Sequence, residues 1–131
     1  MTTARRARAR PSDAETGSVT IQLTVLIPVL FLIAFTGMQA ALFFYGRSAA
    51  SAAALAGARA GATEDGTTTS CHNAAQAFLT DLGDVLSHTT VTCQRTPTTI
   101  TVVVEGDTLS VIPAWTPRVT QQAHASVERV T

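Results

Sequence analysis

The chain has 131 residues, nine basic against nine acidic side chains, and 46% hydrophobic residues. Its charge is unevenly placed: Arg5, Arg6, Arg8 and Arg10 face only Asp13 and Glu15 before Ser18, whereas five Arg face seven Asp and Glu from Ser18 onward. The slightly acidic remainder excludes a nucleic-acid-binding face there, and about 70 residues after Gly61 are few enough for a folded head to need a staple or a partner.

The first 17 residues, MTTARRARARPSDAETG, are basic and then polar, with no apolar core of their own. A secretory signal has an apolar region of about 7–15 residues ahead of a small-residue cleavage site. The nearest such site, Ala54-Leu55-Ala56, lies far beyond an overlong apolar run. Residues 1–17 therefore read as a basic cytoplasmic leader. The positive-inside bias keeps this end in the cytoplasm and sends the C-terminal head across.

Residues 18–46 carry no charge. At helical rise, about 29 residues span roughly 43 Å, more than a bilayer's hydrocarbon thickness of about 30 Å, and this run is expected to be a single transmembrane helix. Pro28 lacks an N–H and would leave the carbonyl near Thr24 without its helical partner. A bend and a merely tolerated proline are both compatible with that, and the Thr24 hydroxyl is expected to compensate in part. Phe43, Phe44 and Tyr45 with Arg47 behind them form an interfacial anchor.

Residues 47–62 are mainly Ala, Ser and Gly, a helix extension with little apolar area. Gly57 and Gly61 make a GxxxG spacing. Two partners fit such a surface: a neighbouring helix, or the protein's own sheet.

The whole stretch, GSVTIQLTVLIPVLFLIAFTGMQAALFFYGRSAASAAALAGARAGA, resembles the N-terminal pattern of TadE-like pseudopilins of the tight-adherence pilus apparatus. The shared features are a Gly before an apolar run, a Pro in its first half, an aromatic outer end and the G-A-R motif Gly57-Ala58-Arg59. The resemblance covers about the first half of the chain. It implies prepilin-peptidase cleavage between Gly17 and Ser18, partnership with other pilin-like subunits, and a structural rather than enzymatic role. The fifth residue after that cleavage is typically Glu in pilin-like chains; here it is Gln22. An amide avoids burying a charge in lipid, yet cannot neutralise a neighbour's terminal amine. The resemblance thus implies a minor subunit, while an uncleaved single-pass envelope protein with a partner-binding head is the alternative.

In the head, residues 63–131, Glu64 to Ser70 read as a break and a loop. A helix is expected from Cys71 to Leu86, with Ala74, Phe78, Leu82, Val85 and Leu86 on one face and Asp81 and Asp84 on the wetter side. β-Branched alternation then predicts strands Thr89–Arg95, Thr98–Glu105 and Val119–Val130, with Gly106-Asp107 ending the second. The fold class is α+β: a long pilin-like transmembrane helix and a small extracytoplasmic head of one helix and about three antiparallel strands. Between the last strands, Leu109, Val111, Ile112, Pro113, Trp115 and Pro117 form an apolar loop. It can be a partner- or membrane-touching patch, but the thin core favours a lid.

Cys71 and Cys93 are the chain's two cysteines, expected to form a disulfide in an extracytoplasmic head. Zinc held by Cys71, His72, His88 and Cys93 is the weaker reading, since adjacent ligands strain a tetrahedral site and no C-x-x-C occurs. No nucleophile elbow, phosphate-cradling glycine pattern or paired catalytic carboxylates stands out, so neither catalytic residues nor a cofactor is expected.

Overall fold

The structure, a computed structural model, describes residues 14–129. Its elements are α1 (Ala14–Ala62), α2 (Thr68–Asp81), β1 (Leu86–Arg95), β2 (Thr99–Thr108) and β3 (Arg118–Ser126). The chain divides into two compact units, the second beginning at Thr36; α1 contributes to both. The architecture is α+β, with a long apolar N-terminal helix, a second helix and a three-stranded antiparallel sheet.

In the first unit α1 starts at Ala14, ahead of the expected start at Ser18, and continues through Pro28. The basic leader residues Arg5 to Arg10 lie outside the described residues. The Thr24 hydroxyl donates to the carbonyl of Thr20 at 2.8 Å. It therefore serves the turn before the one that Pro28 disrupts, not the carbonyl it was expected to help. The large apolar side chains from Val19 to Phe35 stand 46–70% exposed.

The second unit is built around β2. Its alternation places Ile100, Val102 and Val104 on one face, all fully buried, each contributing about 1.5–3 kcal/mol by burial. Strand β2 lies between β1 and β3 in a sequential antiparallel sheet, with Val102 opposite Cys93 on one side and Ala123 on the other. Over this core lie Ala49, Ala50, Ala53, Ala54, Ala58 and Ala62 of α1, spaced to share one helical face and 7% exposed or less. Small residues let the backbones close. A Cβ on Gly57 would meet the Cys71 carbonyl at 3.0 Å and Ala75, and one on Gly61 would overlap Ile100 Cδ1. The GxxxG pair thus packs against the chain's own α2 and β2.

Helix α2 begins earlier than expected. Thr67 is its N-cap in a reciprocal box: Ser70 N–H donates to Thr67 Oγ1 at 3.0 Å, and Thr67 N–H donates to Ser70 Oγ at 2.8 Å. The helix ends at Asp81, with Leu82 as C-cap and Gly83 at φ +72°, a left-handed position where glycine carries no steric penalty. Val85 and Leu86 are therefore not helical, and Leu86 opens β1. Asp81 and Asp84 are both exposed, Asp84 in the turn beyond the helix.

Strand β2 does not stop at Gly106-Asp107 but runs to Thr108. The register of β1 on β2 shifts between Ser87 and Thr90, and His88 sits there at φ +49°. This is a bulge, and a Cβ on Gly106 would press on Thr89 Cγ2 at 3.3 Å and Leu86 Cβ at 3.4 Å. Gly106 makes room for the irregular partner strand; it does not end its own. The third strand closes at Ser126, short of the expected Val130, which lies outside the described residues.

Candidate functional site

The first candidate surface is the apolar rod. Helix α1 from Val19 onward is long and apolar enough to cross a membrane, and its most apolar 18-residue window has a mean hydropathy of 2.3 with no residue buried. Phe31 and Phe35 contact each other at a ring separation of 6.2 Å. Such an exposed apolar surface is stable only when covered by lipid or by other apolar helices.

The positions that the sequence singles out near the N-terminus all lie on this rod. Gly17 is exposed and helical, within the first turn of α1 and with nothing within 4 Å of where a Cβ would stand. Ser18 is helical as well. Gln22 and Pro28 are exposed on the same helix. Cys71 and Cys93 lie elsewhere, bonded to each other between α2 and β1 with Cα atoms 6.4 Å apart. The bond removes both as thiolate ligands, and among the described residues no group of three or more His, Cys, Asp and Glu is placed to hold a metal ion.

The second surface was only partly legible. The β2–β3 loop, residues 109–117, does not act as a lid: Leu109, Ile112 and Trp115 are 49%, 47% and 50% exposed. Its ends are drawn together at Thr108, whose N–H and hydroxyl both donate to the Pro117 carbonyl, at 2.9 and 3.1 Å. Its middle is fixed to α1 by Gln39. The Oε1 of that side chain accepts from Val111 N–H at 2.9 Å and from the Ser110 hydroxyl at 3.1 Å, while Ile112 N–H donates to Ser110 Oγ at 3.1 Å. A Trp115 N–H bond to the Ile112 carbonyl and Ala114 at φ +61° complete the turn.

Gln39 is 6% exposed, and among the described residues its buried Nε2 has no hydrogen-bond partner. An orphaned donor of this kind opposes stability by about 1–3 kcal/mol, offset here by the two bonds to Oε1. Sequence reasoning passed Gln39 by. The signal for it was that Gln39 and Gln22 are the only amides in the uncharged run.

The pinned loop and α1 enclose a groove of about 480 Å³ lined by Thr36, Gln39, Ala40, Phe43, Phe44, Ile112, Trp115 and Pro117. Phe43 and Phe44 meet edge to face at 5.8 Å. Among the described residues no ionisable side chain lines this groove, and its walls are apolar apart from Thr36 and Gln39.

The family model described as TadE-like protein matches residues 17–59. No curated protein and no solved structure matches the chain.

Proposed function

We propose, from the TadE-like character of residues 17–59, that this chain is a minor pilin-like subunit in the assembly of a tight-adherence pilus or a related secretion apparatus. It is inserted with its N-terminus in the cytoplasm and its head outside. A prepilin peptidase cuts between Gly17 and Ser18, and the rod then packs among other pilin-like subunits in the membrane. The role is structural, with no reaction catalysed.

The observation that carries this reading is where the match begins. It starts at Gly17, the residue before the uncharged run, and continues through the aromatic end into Gly57-Ala58-Arg59. The exposed rod fits a segment whose partners are lipid and other helices. The disulfide between α2 and β1 fits an oxidising compartment for the head.

The test is the N-terminal sequence or intact mass of the chain extracted from membranes of cells with and without their prepilin peptidase. A chain beginning at Ser18 only when the peptidase is present is the expected result. A chain that retains Arg5 to Arg10 in both strains would overturn it. That outcome leaves the second reading, a permanently anchored single-pass protein with a partner-binding head, with which Gln22 is equally compatible because an amide cannot pair with a neighbour's terminal amine.

A further inference from the structure

The β2–β3 loop is fixed to α1 within the uncharged run itself. Gln39, which holds Ser110 and Val111, lies inside residues 18–46, as do Phe43 and Phe44 on the groove wall. The run spans roughly 43 Å at helical rise and the hydrocarbon layer about 30 Å. The run is longer than the layer by about 13 Å, or about nine residues, and the aromatic cluster Phe43–Tyr45 with Arg47 behind it marks its C-terminal end as interfacial, so the segment that receives the loop, 38–46, falls at the depth of the lipid headgroups and upper acyl chains. The loop matches that depth. Residues 109–117 carry no charge and present Leu109, Ile112 and Trp115 about half exposed. Tryptophan beside apolar side chains is the composition enriched at membrane interfaces.

We propose that the β2–β3 loop is a membrane foot: Ile112 and Trp115 enter the interfacial layer of the leaflet at the Phe43–Tyr45 end of the rod, and a phospholipid acyl chain occupies the groove between them and Phe43. This rests on the reading of residues 18–46 as membrane-spanning. Lipid is the occupant because every α1 residue that lines the groove, from Thr36 to Phe44, lies within the uncharged run. The head then has a second point of attachment to the membrane, its loop fixed to Gln39 within its own unit. A single helix lets a head swivel about its axis; two attachments fix which face turns toward neighbouring subunits.

Trp115 is the chain's one tryptophan, so its emission reports this loop without any substitution. The full chain is reconstituted in phosphatidylcholine vesicles carrying bromines near either the carbonyl end or the methyl end of the acyl chains. Flotation with the vesicles and resistance to carbonate extraction report the rod separately. The expected result is loss of most Trp115 emission with the shallow bromines, much less loss with the deep ones, and little quenching by aqueous iodide. An inserted chain whose Trp115 is quenched by iodide and not by bromolipid would overturn the foot and leave the anchor standing. Shielding from both quenchers would also overturn it, pointing to a second copy or another protein over the groove. A chain that neither floats nor resists carbonate would overturn anchor and foot together. In a second measurement, Ile112→Asp should reduce the shallow-bromine quenching of Trp115 while flotation is unchanged; quenching equal to that of the unaltered chain counts against the foot.

Discussion

Helix α1 carries two surfaces that differ in the size of their side chains and in what covers them. From Val19 to Phe35 its side chains are large and exposed, whereas from Ala49 to Ala62 the residues facing the sheet are alanines and glycines, and buried. Large side chains expose enough apolar area for transfer into lipid to be favourable without any protein partner. Alanine offers little area, so its half of the helix gains from closeness, with Gly57 and Gly61 bringing the backbone against Cys71 and Ile100. One continuous helix is thereby assigned two solvents by the volume of its side chains.

A charge in the wrong half should break the comparison most visibly. Leu30→Arg is expected to oppose insertion by about 2.5–3.5 kcal/mol at mid-helix, read as a fall in the carbonate-resistant fraction. Ser51→Arg, at an exposed position of the alanine-rich half, should leave that fraction unchanged; equal losses would mean that the two halves share one environment. Next in size is the head's staple. Replacing Cys71 and Cys93 together by serine opens a loop of about 23 residues and should lower head stability by about 3 kcal/mol, measured by denaturant unfolding, while membrane association persists.

A smaller effect contrasts two glycines. Gly61→Ala puts a methyl group into Ile100 and within 2.9 Å of Cys71 Cβ, an overpacking expected to destabilise by about 1–3 kcal/mol. Gly37→Ala meets nothing within 4 Å and should stabilise the helix by roughly 0.5–1 kcal/mol. Thermal melts of the pair would sharpen the distinction between packed and open faces, and matching signs would remove it. Of similar small size is Thr67→Ala, which deletes the α2 cap and should lower the melting midpoint by an amount corresponding to about 1 kcal/mol.

The rod was legible because an uncharged apolar run longer than a bilayer is thick finds no cover in a head this small. The strand core was legible because Ile100, Val102 and Val104 alternate cleanly. The boundaries of α2 were misread for two different reasons. Its N-cap box uses Ser70 where Glu or Gln is the familiar sign, so Thr67 to Ser70 looked like loop. At its other end the apolar spacing of Leu82, Val85 and Leu86 imitates a helical face, although Gly83 offered a stop signal. Gly106 misled because a glycine inside a strand resembles a terminator unless the bulge across from it is known. Trp115 was expected in a lid over the core because composition cannot tell whether a small core or a surface recruits a large side chain. The clamp on the loop was invisible for a further reason: it joins Gln39 to residues more than 70 positions away, a pairing that no local pattern encodes.

The sheet order β1–β2–β3 also sets how the head would yield to force. Tension applied beyond Arg129 meets the Arg129 guanidinium bond to the Pro97 carbonyl first, then the Glu128 N–H bond to the Ala62 carbonyl and the Val127 N–H bond to the Thr98 carbonyl, and then the Thr99–Ser126 end of the β2–β3 ladder. Because β3 is an edge strand joined to the rest by no disulfide, its ladder is the first part of the sheet open to the load. The segment between Cys71 and Cys93 cannot lengthen under the same load, since its ends are bonded. The head would extend in a soft step followed by a hard stop, a mechanical fuse placed at the end of the chain farthest in sequence from the rod.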